Sequence, residues 1–254
     1  MTKEHLWPAA LHKRLYAANE QTRSIFWLAR LQREIPAEPQ IRDVCAQCNN
    51  VTLSELDSYI CNLFDSTFIN ILKRDEEVQF EYNYHLLKRW LLKMSYNSSR
   101  IHDSIDRKEL ERLLPYILGK HDRLGRSVQL FVQLVYPEEV DDRELDERCE
   151  SSGKLLVEPS IHRVGHIIFR AHGIGEKILR TVHLRSYSFF LAYWPPDGSR
   201  AEHDDFENVY TSSMGGANLL RPSRTSVRLV CNGMGAWQSL RESRSAKFVS
   251  DNDT

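Results

Sequence analysis

Apolar residues recur at three- and four-residue steps through the first half of the chain and at every second position through much of the rest, and this change of period divides it. Leu56, Ile60, Leu63, Phe64, Phe68 and Ile71 predict a helix that starts at Ser54, with the hydroxyl capping free backbone N–H groups and Asp57 three positions on. Leu86, Leu87, Trp90, Leu91 and Met94 make one face of a second helix, from about Tyr82 to Tyr96. A third is expected from about Arg107 to Leu118, stopped by Gly119. Ahead of these, residues 9–34 place Leu11, Leu15, Ile25, Leu28 and Leu31 among charges, which suits a helix or two ended by Pro36 and Pro39. Alternation over 127–136, 165–171, 178–194 and 226–230 predicts strands. Gly173 with Gly175, Pro195-Pro196-Asp197-Gly198 and Gly215-Gly216 mark the turns between them.

The fold class expected is α+β: a core over 1–58, a helical region over 59–122, a mostly antiparallel sheet over 123–240 and a polar tail over 241–254. With 254 residues, 41% of them hydrophobic, the chain can bury such a core. Its net charge of −1 offers no global attraction to a polyanion, so nucleic-acid binding would need local patches. Lys and Arg exceed Asp and Glu by 4 over residues 81–130 and by 5 over 160–249. Segment 137–150, with an excess of 6 acids, reads as a solvated linker or loop.

Two short motifs carry candidate chemistry: Glu4-His5-Leu6-Trp7-Pro8, and Cys45-Ala46-Gln47-Cys48-Asn49-Asn50 ahead of a helix. Together they resemble the ββα-metal core of the HNH endonuclease family, and the order of knuckle, helices and strands is similar to bacterial proteins of that family. The specific motifs cover residues 4–8 and 43–57 alone. The resemblance implies a metal-dependent endonuclease. Phosphodiester hydrolysis needs an activated water and a cation on the phosphate oxygens. In this reading His5 is the general base, Glu4 and Asn49 (or Asn50) supply oxygen to Mg²⁺ or Mn²⁺, and Asp43 stands in for the middle Asn that steadies the base. Asp43 can accept hydrogen bonds as that Asn does but cannot donate them.

The thiols of Cys45 and Cys48 suit a structural Zn²⁺, which takes four ligands. Only Met1, Thr2 and Lys3 precede Glu4 in this sequence, so the two further ligands of such a staple would have to come from upstream of it or from elsewhere in the chain. Cys61, Cys149 and Cys231 have no paired spacing. The odd count and the lack of framework spacing favour reduced thiols and a cytoplasmic protein. No stretch approaches the length of a membrane span, and the N-terminus lacks a signal-peptide core.

Lys88, Arg89 and Lys93 decorate the second helix, either as a wet face or as contacts to a nucleic-acid backbone, DNA in the first instance. His162-x-x-x-His166 has a metal-ligand spacing only on a helix; on a strand the two lie about 13 Å apart, and packing or surface histidines are expected. The glycine pairs complete no phosphate-binding fingerprint, and Cys61 should be inert inside an apolar helix. The sequence therefore carries two readings: an HNH-type endonuclease with His5 as base, or a catalytically silent HNH-like module that binds nucleic acid or a protein.

Overall fold

In the computed structural model, which describes residues 2–19, 26–36, 38–121, 124, 127–145, 153–195 and 198–245, the chain opens with a short strand, β1 (Thr2–His5). Of Ala29, Asp43, Asp142, Leu145 and residues 242–245 it describes the backbone alone. Pro8, its φ held at −55°, ends the extended run and its carbonyl accepts from the Leu11 and His12 amides at 2.9 and 3.0 Å, so helix α1 (Ala9–Ala18) starts at once. Residues 26–35, expected to be helical, form a hairpin instead: β2 (Phe26–Leu28) pairs with β3 (Arg33–Ile35) around a 3₁₀ turn and Gln32 at φ 48°. The three-residue step from Leu28 to Leu31 imitates a helical period, while Phe26, Trp27 and Ile35 suit a pleated surface better.

β4 (Gln40–Val44) pairs antiparallel with β1, His5 opposite Gln40 and Glu4 opposite Ile41, with a register shift between Thr2 and Glu4. Helical winding then begins at Ala46, not at Ser54: it is widened over Cys48–Leu53, regular in α2 (Ser54–Leu63) and widened again over Phe64–Phe68. The sulfur of Cys45, accepting from the Cys48 amide at 3.1 Å, does the capping that Ser54 was expected to do. After β5 (Glu77–Glu81) comes α3 (Tyr84–His102), capped by the side-chain oxygen of Asn83, which accepts from the Leu86 amide at 3.1 Å, and closed by Asp103 at φ 52°. The helix expected over 107–118 is broken into α4 (Arg107–Arg112) and α5 (Leu114–Ile117), because Pro115 has no N–H to continue the ladder. Gly119 turns the chain at φ 68°, where a Cβ would meet the Arg89 guanidinium at 2.8 Å.

The second half is built on β6 (Val128–Tyr136). The acidic segment is structured over its described part: β7 (Glu138–Asp141) leads into α6 (Asp142–Leu145) and pairs with β8 (Lys154–Val157), while residues 146–150 lie outside the described residues. Next come β9 (Arg163–Ala171), β10 (Gly175–Leu184) and β11 (Tyr187–Tyr193). The stretch expected as one strand over 178–194 is two, folded back at Arg185 (φ 51°). The chain ends with α7 (Arg200–Ser213), β12 (Asn218–Leu220), β13 (Ser226–Val230), β14 (Met234–Gly235) and α8 (Ala236–Ser245), and the rest of the expected polar tail lies outside the described residues. Strand order in the main sheet is β12-β6-β11-β10-β9, antiparallel throughout, with β14 running parallel to the end of β6, while β13 pairs with β5.

Alternation along these strands feeds two cores. Leu130, Val132 and Leu134 of β6 and Phe189 and Leu191 of β11 pack with Leu87, Trp90, Leu91 and Met94 of α3, and the same cluster takes in Leu6, Trp7, Leu11 and Leu15 from the N-terminal unit. Phe131, Phe190 and Ala192, one position out of step, pack on the opposite face with Phe206 and Tyr210 of α7. Inside β10, Arg180 is fully buried and donates through both arms to Asp106 at the start of α4, Nε to Oδ2 at 2.6 Å. The α+β expectation holds, and no helix among the described residues is long and apolar enough to cross a membrane.

Candidate acid–base site

The side chains of Glu4 and His5 go to opposite faces of β1, as neighbours on a strand must. His5 turns outward, its side chain 37% exposed, and its Nδ1 lies 2.7 Å from Oε2 of Glu38. The same oxygen lies 3.3 Å from Nδ1 of the buried His12 on α1, and Oε1 accepts from the Trp7 amide at 2.6 Å. Glu38 reaches this place because the β1–β4 pairing continues past His5: the Leu6 amide donates to the Pro39 carbonyl at 3.0 Å, which leaves Glu38 beside Trp7. The carboxylate hydrogen-bonded to His5 keeps Nδ1 of that ring protonated and leaves its Nε2 as the proton-accepting nitrogen. Nε2 of His12 is buried without a partner among the described residues. His162, ahead of β9, closes the cluster, its ring 4.8 Å from Trp7 and 5.2 Å from His12.

Glu4 faces inward. Its Oε1 lies 2.6 Å from Nζ of Lys93, which also holds Asp57 at 2.7 and 2.9 Å, and Asp57 accepts from the Trp90 indole at 3.2 Å. Burial pushes the Glu4 carboxyl up from the ordinary carboxylate range, and Lys93 pulls it back down in part. Asn49 sits on the widened turn after the knuckle and its amide donates to Lys3 O at 3.2 Å and Thr2 Oγ1 at 3.1 Å, tying the helix start to β1. Asn50 is exposed. The backbone of Asp43 lies in β4, and its side chain falls outside the described residues. Glu38, which the sequence did not single out, holds the imidazole instead.

These residues do not fit Mg²⁺ or Mn²⁺ as a set: the one carboxylate, Glu4, is already closed by an ammonium group on the face of β1 away from His5. Lys93 supplies there the positive charge that the cation was expected to bring. Among the described residues no three His, Cys, Asp or Glu side chains gather as a metal site. Cys45 is exposed and its thiol is pulled below the ordinary range by hydrogen bonding with Cys48, whose own is pushed up; both are free thiols. Cys61 and Cys231 are buried, and Cys149 lies outside the described residues.

The three basic residues expected on a solvent face are turned inward, because α3 is enclosed by the sheet, by α5 and by the N-terminal unit. Lys88 is 2% exposed and Lys93 3%. Arg89 is half-buried and donates to the Ile117 carbonyl at 3.1 Å. His166 lies on β9, a strand, so the His162/His166 spacing does not form a helical ligand pair.

Burial holds His162 neutral, its imidazole pushed down to about 3, and holds His183 well below its ordinary value. Between pH 3 and 6.5 the unfolded chain binds more protons at these sites, so stability rises with pH there and is lost on acidification. Urea unfolding should show His162 alone removing about 2 kcal/mol by pH 5. His162→Gln should flatten that part of the profile, and an unchanged acid limb would reject the assignment.

No protein-family model, curated protein or solved structure matches this chain.

Proposed function

We propose that the N-terminal unit is the acid–base centre of a hydrolase, with His5 taking a proton from water and Glu38 as its positioning residue. The substrate class is the nucleic-acid phosphodiester of the HNH-like reading. One observation carries this: Nδ1 of a part-exposed His5 lies 2.7 Å from a carboxylate that also accepts a backbone amide. Donation of Nδ1–H to Glu38 fixes the ring and its tautomer and favours the imidazolium formed when Nε2 takes the proton. The pairing of β1 with β4, followed by a helix whose Asn49 closes back on β1, supports the HNH-like arrangement. No step is assigned to a metal ion, since Glu4 is engaged by Lys93.

The test is nicking of supercoiled plasmid, with and without Mn²⁺. His5→Ala should slow nicking by about 100-fold or more. Glu38→Gln, which can still accept from the Trp7 amide, should slow it less and alter its pH profile. Equal nicking by wild type and His5→Ala refutes the assignment.

The buried Glu4–Lys93–Asp57 network favours a second reading, a silent HNH-like module that acts by binding. Its signature is a wild-type protein that does not nick and binds nucleic acid without metal, unaffected by His5→Ala.

A further inference from the structure

A cleft of about 510 Å³ lies between α3, α5, the start of β6, α7 and the segment after β12, and it shares no residue with the His5–Glu38 site. Lys88, Tyr84 and Val128 all line it. Nζ of Lys88 donates to the Val128 carbonyl at 2.7 Å and to the Tyr84 hydroxyl at 3.1 Å, and lies 5.1 and 5.9 Å from the ring centres of Tyr84 and Tyr116. Both hydrogen-bond partners are neutral, and among the described residues no carboxylate pairs with this ammonium group.

A buried ammonium group is costly unless an anion answers it. Here the cost is visible, for burial pushes the Lys88 amine down to about 7. The other charges of the cleft answer one another: Arg221 pairs with Glu207 at 2.6 Å, and Arg200 with Asp204 at 3.4 Å. His85 is engaged by the Tyr116 hydroxyl at 3.0 Å, and His203 lies against Trp194 with ring centres 4.3 Å apart and the planes tilted by 33°. Among the described residues the interior is left with the Lys88 amine, tyrosine faces, and the apolar Leu219 and Pro222. A single charge in a partly apolar pocket selects a monoanion with an apolar body over a multiply charged phosphate.

We propose that this cleft binds a small organic monocarboxylate, whose anionic group pairs with Lys88 while its body lies against Tyr84, Tyr116 and Leu219. Binding restores the ammonium form, so it takes up a proton.

The test uses acetate, butyrate and benzoate with the full chain. At concentrations well above Kd at least one should raise Tm by several degrees, of the order that saturating ligand gives a chain of this size. Calorimetry at pH 8 in two buffers of different ionisation enthalpy should show uptake of close to one proton per ligand. Lys88→Met, which fills the same space without charge, should abolish the Tm shift. The proposal is overturned by no shift with any of the three, by an equal shift in Lys88→Met, or by binding without proton uptake. That last measurement needs wild type alone, so the proposal stays testable if the variant does not fold.

Discussion

Asp106→Asn destabilises the protein by about 3–5 kcal/mol, the ordinary cost of removing one partner from a buried ion pair, and lowers Tm by roughly 10 °C. Arg180 is fully buried in the middle of β10, and Asp106 meets it from the turn between α3 and α4 with two hydrogen bonds. The side chains have nearly the same shape, so packing hardly changes and the loss is electrostatic. A guanidinium cannot discharge within the stable pH range, so the deficit should be nearly constant from pH 5 to 9. Urea unfolding across that range measures it. A deficit below about 1 kcal/mol would mean that water or a neighbour takes over the role of Asp106.

Lys93→Met should cost about as much, roughly 3–5 kcal/mol at neutral pH, with a different pH signature. It leaves the carboxylates of Glu4 and Asp57, both of which touch Nζ, facing each other without the cation. Unlike Arg180, these groups can take up a proton. Burial already pushes Glu4 up, and loss of Lys93 pushes it further, so the folded variant binds a proton that the unfolded chain lacks above pH 4.5. The penalty is therefore present at neutral and alkaline pH and shrinks as pH falls toward 4.5. Adding Glu4→Gln should recover part of the loss, and a double-mutant cycle gives the coupling. Strict additivity of the two substitutions would show that the contact contributes nothing. The single variant Glu4→Gln bears on function as well, because a site that depends on Glu4 as a metal ligand loses nicking in it.

The strands and α3 were legible because their signal is local. Leu130, Val132 and Leu134 alternate with Phe131 and Gln133, and Leu87, Trp90, Leu91 and Met94 fall on one helical stripe. No period marks β1 or β4, which are too short for one, and only the structure shows that the strand ending at His5 pairs with the strand ahead of Cys45. What stayed hidden depends on partners far along the chain. Glu38 is 33 residues from His5, and nothing in its own surroundings sets it apart until the strand register places it beside Trp7. Lys88 and Lys93 read as outward-facing, whether toward solvent or a nucleic-acid backbone, because lysine rarely goes inside, but α3 has no free face for them. The hairpin over Phe26–Ile35 was lost to a coincidence of spacing, and the early helix start to a thiol cap that propensity rules do not weigh.

β6 serves both cores with alternate side chains, Leu130, Val132 and Leu134 to one and Phe131 to the other. Sliding it by a single residue would exchange the two sets wholesale, so this strand tolerates neither an insertion nor a deletion. At Gly173 and Gly175 a Cβ would meet nothing within 4 Å, so the turn between β9 and β10 is the place where added residues find room instead.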